Sequence, residues 1–186
     1  ASYFMWRGEL MGFDYDLIKD FAKQHRLRVR VVVRDSPSAM FSALEAGEGD
    51  VIAASMTITS DRQLAGWAFS KRYLEVNEQL IGEAGDVPLG SVQALAGRTV
   101  AVNPETAYYD TLKDLQATGL QFDIQEVFQA STEMLIEGVA NGEYDLTMAD
   151  SHLAAMESTY RDDIAVLFQF EPAKEIAWVT REPQKI

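Results

Sequence analysis

Beyond Ser55 the chain runs Met56-Thr57-Ile58-Thr59-Ser60-Asp61-Arg62, with hydroxyls at alternate positions and a guanidinium about one helical turn later. Hydroxyls and free backbone N–H groups can take one side of a carboxylate while Arg62 offers a planar fork of donors, so the stretch has the parts of a carboxylate trap. The plainer alternative is that Ser60 caps a short helix and Arg62 pairs with a surface acid. Asp150 follows the apolar run Leu146-Thr147-Met148-Ala149 and precedes a helical stretch from His152 to Tyr160. There it is either an ordinary N-cap or a carboxylate aimed at a ligand. Trap and carboxylate together complement one zwitterion, an α-amino acid with its carboxylate toward Arg62 and its ammonium toward Asp150. The Tyr3-Phe4-Met5-Trp6 cluster either stacks on a ligand side chain or closes a core, and Tyr3 is carried forward as the stacking candidate.

Composition narrows the chemistry. Across 186 residues there are 29 acidic and 16 basic side chains, a formal net charge of -13 that repels phosphate backbones and anionic headgroups. Nucleic acid is not an expected partner. With no cysteine and two histidines, His25 and His152, the chain has too few soft ligands for a zinc, iron–sulfur or thiol site, and no cofactor is expected. His152 reads as a solvated helix residue. No Ser/His/Asp ordering and no glycine-rich phosphate loop argues for catalysis. No apolar run reaches the roughly 20 residues that span a bilayer, and no basic-then-apolar leader opens the sequence, which leaves a cytosolic or an already processed chain.

The elements that position these residues alternate. Leu17, Ile18, Phe21 and Ala22 recur at helical spacing between Asp14 and His25, and Val29 to Val33 is a β-branched run that predicts a buried strand. Ser36-Pro37 predicts the start of a helix that stops at Gly47, and a short strand follows from Asp50 to Ser55. After a midpoint punctuated by Gly82, Gly85, Pro88 and Gly90, strands at Thr99–Val102, Phe122–Val127 and Leu146–Ala149 alternate with helices at Thr106–Gln116 and Thr132–Ala140. Such alternation argues for α/β architecture with parallel sheets. Arg26, Arg28, Arg30 and Arg34 form a basic stripe that would guard a sheet edge. One internal echo stands out: Gly47 to Ser55 lies without gaps over Gly142 to Asp150, each copy a helix stop, a turn, a buried strand and a polar residue at its end. In open α/β sheets ligands sit beyond the carboxyl ends of strands, which is where Ser55 and Asp150 fall.

Gly12-Phe13-Asp14-Tyr15-Asp16-Leu17 resembles the signature of family 3 periplasmic solute-binding proteins. Ala53-Ala54-Ser55-Met56-Thr57-Ile58-Thr59-Ser60-Asp61-Arg62, with Ala68-Phe69-Ser70-Lys71-Arg72-Tyr73 behind it, resembles that family's ligand-binding segment. The resemblance implies a two-lobed α/β fold of the periplasmic-binding-protein-like (type II) kind, with parallel-rich sheets and a ligand cleft between the lobes. Lobe 1 would comprise residues 1–83 and 173–186, and lobe 2 residues 88–168. By the same resemblance Ser55, Thr57 and Arg62 hold a ligand carboxylate, the loop at Thr106 and Ala107 adds backbone donors, and Asp150 takes the ammonium. Leu95-Ala96-Gly97-Arg98-Thr99-Val100-Ala101-Val102, Ala149-Asp150-Ser151 and Glu175-Ile176-Ala177-Trp178-Val179 are most similar to modules that precede a peptidoglycan-cleaving domain in lytic transglycosylases. The implied protein is periplasmic, held at the outer membrane through its parent, and it senses a small zwitterion: an amino acid or a muropeptide-like peptide. Two alternatives share the scaffold: a free-standing amino-acid receptor for an ABC permease, and a dehydratase-like enzyme with Glu105 as the acid. Where the family shows glycine followed by serine or threonine pairs, this chain has Pro104-Glu105-Thr106-Ala107. The resemblance further implies a strand before Ser2 and helices after Pro183, so that the chain is a trimmed piece of a longer one.

Overall fold

The computed structural model describes residues 4–6 and 9–181, with side chains from residue 12 onward. Tyr3 therefore lies outside the described residues, as do the side chains of Phe4, Met5 and Trp6 and the whole of 182–186. In chain order the elements are β1 (Phe4–Trp6), β2 (Glu9–Met11), α1 (Phe13–Gln24), α2 (Pro37–Glu45), β3 (Ile52–Thr57), α3 (Ser60–Leu64), β4 (Ala68–Phe69), β5 (Leu74–Val76) and β6 (Glu78–Glu83). After a short 3-10 turn at Val92–Leu95 come β7 (Thr99–Val102), α4 (Ala107–Ala117), β8 (Asp123–Glu126), α5 (Thr132–Ala140), β9 (Leu146–Asp150), α6 (Ser151–Tyr160), β10 (Ile164–Gln169) and β11 (Lys174–Thr180). Among the described residues no helix is long and apolar enough to cross a membrane.

Helix starts follow the hydroxyls. Ser36 Oγ accepts from Ala39 N at 3.2 Å with Pro37 at the first helical position, and Ser131 Oγ accepts from Met134 N at 3.2 Å. At α3 the cap is Thr59, whose Oγ1 accepts from Arg62 N at 3.3 Å, and Ser60 is the first helical residue rather than the expected cap. The echoed turns are alike in backbone: Gly47 and Gly142 have φ of 75° and 73°, the left-handed turn that follows α2 and α5.

The chain gathers into two compact units, one ending at Glu75 and resuming at Glu175, the other Val76–Lys174. In the first, β1 and β2 form an antiparallel pair, and β11 joins β3, β4 and β5, antiparallel to β3 and β4. Leu44, Ile52, Met56 and Val179 form its core against Met40, Phe41, Trp67 and Phe69. The run Val29 to Val33 is not the buried strand its composition predicts: it has no assigned strand, and Val29, Val31 and Val33 are 37%, 40% and 48% exposed. β-branched residues favour a strand only where a neighbouring strand and a packed face receive them, and the described residues supply neither. Its arginines guard no sheet edge. Arg30 and Arg34 instead tie the run to the following turn, through the Glu48 carbonyl and carboxylate respectively.

The second unit is a five-stranded sheet in the order β10-β6-β9-β7-β8. β7 runs parallel to β8 and β9, whereas β6 is antiparallel to both β9 and β10, so the sheet is mixed rather than parallel-rich. β6, expected in the first lobe, is hydrogen-bonded along both edges within this sheet. Alternation assigns the faces. Leu80, Val100, Val102 and Met148 pack with Tyr108 and Leu112 of α4, while Ile81 and Ala149 pack with Ile136 of α5 and Ala154 of α6. The same period of two puts Glu78 and Asp150 on the α4 side, next to Leu80 and Met148.

Candidate functional site

In the first unit the site is built on an irregular strand. Ala177 pairs with Met56 but Val179 pairs with Ile52, so β3 carries extra residues that bulge out around Ser55. Ser55 sits there at φ 49°, an uncommon conformation for a residue with a side chain. Its Oγ donates to Asp14 Oδ2 at 2.7 Å, and the Tyr73 hydroxyl donates to Asp14 Oδ1. Asp14 is fully buried, so these two donors satisfy a charge that water does not reach. Burial and the Asp14 carboxylate push the Tyr73 hydroxyl well above the usual tyrosine range, which keeps it a proton donor.

Thr57 and Arg62 are brought into contact. Arg62 Nη1 donates to the Thr57 carbonyl at 2.7 Å, and the guanidinium carbon lies 5.6 Å from the centre of the Phe41 ring. The short helix α3 thus folds the guanidinium back over the end of β3, where it also lies over the Phe41 ring. Ser55 is not turned toward them, because its hydroxyl is committed to Asp14.

In the second unit the loop after β7 is locked by Asn103, which is buried, donates from Nδ2 to the Ala130 carbonyl at 3.1 Å, and accepts on Oδ1 from Glu105 N at 3.1 Å. Thr106 occupies the N-cap position of α4, but its Oγ1 donates to the Asn103 carbonyl at 2.7 Å rather than capping. The Thr106 amide also goes to the Asn103 carbonyl, at 3.1 Å, so one of the two backbone donors expected for a ligand is already engaged. Ala107 is the buried first residue of α4, beside Tyr108.

Asp150 ends β9 nearly fully buried, at the N-cap position of α6, yet its side chain makes no cap hydrogen bond. Its backbone N–H donates to the Tyr108 hydroxyl at 3.0 Å, and its Oδ1 has no hydrogen-bond partner. Burial, and then the nearby Glu78 carboxylate, push the Asp150 carboxyl up to about 7, while Tyr108 and Lys174 pull it back. Thr111 Oγ1 donates to Glu78 Oε2 at 2.6 Å. His152, in the first turn of α6, is half-buried rather than solvated.

Sequence reasoning missed Glu78, Tyr108 and Thr111 as neighbours of Asp150, and Asp14 with Tyr73 as the support of Ser55. The signal for the first group was present as a period: Glu78-x-Leu80 against Met148-x-Asp150, with Tyr108 and Thr111 three apart on one helix face.

Residues 2–88 match the family described as bacterial extracellular solute-binding proteins, family 3. A membrane-bound lytic murein transglycosylase F from Desulfosudis oleivorans is 39% identical over 182 residues, which is 97% of this chain and 39% of that protein. The chain thus spans about two fifths of the length of that curated relative. Among solved structures, an ancestral arginine-binding protein bound to arginine superposes with a TM-score of 0.82 at 24% identity, covering 98% of this chain and 80% of that one. The GluR0 ligand-binding core from Nostoc punctiforme in complex with L-glutamate gives 0.81 at 17% identity, covering 95% and 79%. The fold is that of type II periplasmic binding proteins; residues 2–88 carry the match to the family 3 solute-binding proteins, and the chain is similar along nearly its whole length to part of membrane-bound lytic murein transglycosylase F.

Proposed function

We propose that the domain binds an amino acid or a small cell-wall peptide, and that in the periplasm it serves as the sensing part of a lytic murein transglycosylase. Arg62 and Thr57 would hold the ligand carboxylate, Ser55 would brace that end of β3 through Asp14, Ala107 at the start of α4 would add a backbone donor, and Asp150 would take the ammonium. The observation that carries this reading is Asp150 Oδ1: a nearly buried acceptor at a helix start, bonded neither to the helix nor to another side chain. A carboxylate in that state favours a cationic donor, because burial without one is costly. Arg62, folded over the end of β3 by its bond to the Thr57 carbonyl, supports the carboxylate half. The similarity to a transglycosylase over 97% of the chain favours a sensor over an importer's receptor. On this reading the domain performs no chemistry itself, and its partner is the cleaving domain of the longer protein.

The test is a two-by-two comparison by calorimetry. The twenty common L-amino acids and the wall dipeptide L-Ala-D-Glu are screened, and the tightest binder is then compared with its N-acetylated form on the parent and on Asp150→Asn. The variant should lose tenfold or more in affinity for the free amine, about 1.4 kcal/mol, and nothing for the acetylated form. An equal loss for both forms would show that Asp150 does not read the amine.

A further inference from the structure

Glu78 opens β6 and Asp150 closes β9, and the antiparallel register sets them directly opposite each other. Side chains so paired share a face of the sheet with Cβ atoms roughly 5 Å apart, and like charges there repel. Both residues are nonetheless almost wholly buried, at 1% and 4% exposure. Each also keeps one carboxylate oxygen without a hydrogen-bond partner, Glu78 Oε1 and Asp150 Oδ1. The other groups around the pair are few. Tyr108, Asp110 and Thr111 come from α4, and Lys174 from the start of β11. Thr111 satisfies Glu78 Oε2, and the next pair along the strands, Leu80 with Met148, is apolar. The two free acceptors are therefore not links in a polar network running through the core.

We propose that Glu78 is the second arm of the ammonium site: one primary ammonium donates to both Asp150 Oδ1 and Glu78 Oε1. This rests on the reading that Asp150 faces the ligand amine, and it supplies the second acceptor. The donor count fits, since an ammonium carries three N–H groups and two acceptors stand open side by side. The charge balance fits as well. A carboxylic acid and a carboxylate carry one negative charge between them; on binding, the O–H bond of the acid breaks, its proton passes to solvent, and two carboxylates face one ammonium. Burial raises both carboxyls, Glu78 being further raised by Asp110 and lowered by Thr111 and Lys174, so the empty pair retains a proton toward neutral pH. Affinity for a primary amine should then rise with pH, by up to tenfold per unit while the pair still holds its proton.

The experiment follows the carbon-13 carboxyl signals of Glu78 and Asp150 in the whole chain through a pH titration. The chain is titrated in methylammonium chloride and again in tetramethylammonium chloride at matched ionic strength. Methylammonium, which has N–H donors, should lower the titration midpoints of both carboxyls, and tetramethylammonium, which has none, should not. Glu78→Gln keeps the contact with Thr111 and removes one charge: the Asp150 midpoint should fall by about one unit or more, and the methylammonium effect should shrink several-fold. No difference between the two cations on the parent would overturn the proposal. An undiminished methylammonium effect in Glu78→Gln would also overturn it, while leaving the amine-reading role of Asp150 intact. The parent comparison decides by itself if the variant does not fold, and failure of the acetylation test above would be the separate failure of the reading beneath it.

Discussion

Ser55 and Asp14 are joined by a 2.7 Å hydrogen bond from Oγ to Oδ2, which ties the bulge of β3 to the first turn of α1. The serine takes a left-handed backbone to make it, so the site holds a local strain and the bond that offsets it. Ser55→Ala keeps the strain and leaves a buried acceptor short of a donor, and should destabilise by about 1–3 kcal/mol. Ser55→Gly loses the same bond but adopts φ 49° without steric cost, so it should be the milder change. Chemical denaturation of both variants checks this, and a glycine variant less stable than the alanine one would contradict it.

Asp150 carries a stability signature of its own. Its folded pKa of about 7 stands above the ordinary aspartate value, so between the two the folded chain holds a proton that the unfolded chain has released. Stability conferred by that protonated state is complete below the ordinary value and is lost as pH rises toward about 7. Asp150→Asn should flatten this slope and exceed the parent at about pH 8 by on the order of 1–3 kcal/mol. Denaturation at several pH values measures it, and parallel curves for parent and variant would refute it.

Asp145 should behave in the opposite sense. Arg98 Nε donates to its two oxygens at 3.1 and 2.9 Å, Arg98 Nη2 adds a 2.6 Å bond, and Thr99 N donates at 3.1 Å. These donors, Arg98 first, hold its carboxyl below the usual aspartate range. The resulting stability is present above the ordinary value and disappears as pH falls through the lowered one. Because the pair is partly solvated, Asp145→Asn should cost only about 1 kcal/mol at neutral pH and less in acid. A cost that grows on acidification would show another origin.

Arg62→Ala removes the guanidinium that α3 folds over β3. If that group meets a ligand carboxylate, affinity for the tightest amino acid or dipeptide of the calorimetric screen should fall by about 2–5 kcal/mol, with a much smaller change in melting temperature. Unchanged binding would remove Arg62 from the site.

The features legible in the sequence were local ones. The Ser36-Pro37 helix start and the paired glycine turns at Gly47 and Gly142 depend on a few adjacent residues, and each stands where the sequence puts it. Thr59 and Ser60 are adjacent hydroxyls, and which of them caps α3 depends on where the chain leaves β3. Val29 to Val33 misled because β-propensity states a preference for a partner that the described residues do not contain. Glu78 was invisible for a different reason: a glutamate next to a strand ordinarily faces water, and only the register of β6 on β9 reveals that it faces Asp150. Likewise nothing near Ser55 in the sequence announces that Asp14 and Tyr73 claim its hydroxyl.

The path of the chain through its two units has a consequence for how the protein is made. Val76–Lys174 is one uninterrupted stretch, whereas the first unit is assembled from pieces on either side of it. β11, the last strand among the described residues, is the one that β3, β4 and β5 all join. A chain emerging amino end first can therefore complete the second unit while the first still lacks its shared strand. Closing β11 onto β3 spans the whole inserted unit, so the non-local contacts that slow folding are concentrated in the unit begun first. During synthesis that unit is the last to be finished, and a chain stopped short of Lys174 would expose the edges of β3, β4 and β5 to whatever strand arrives first.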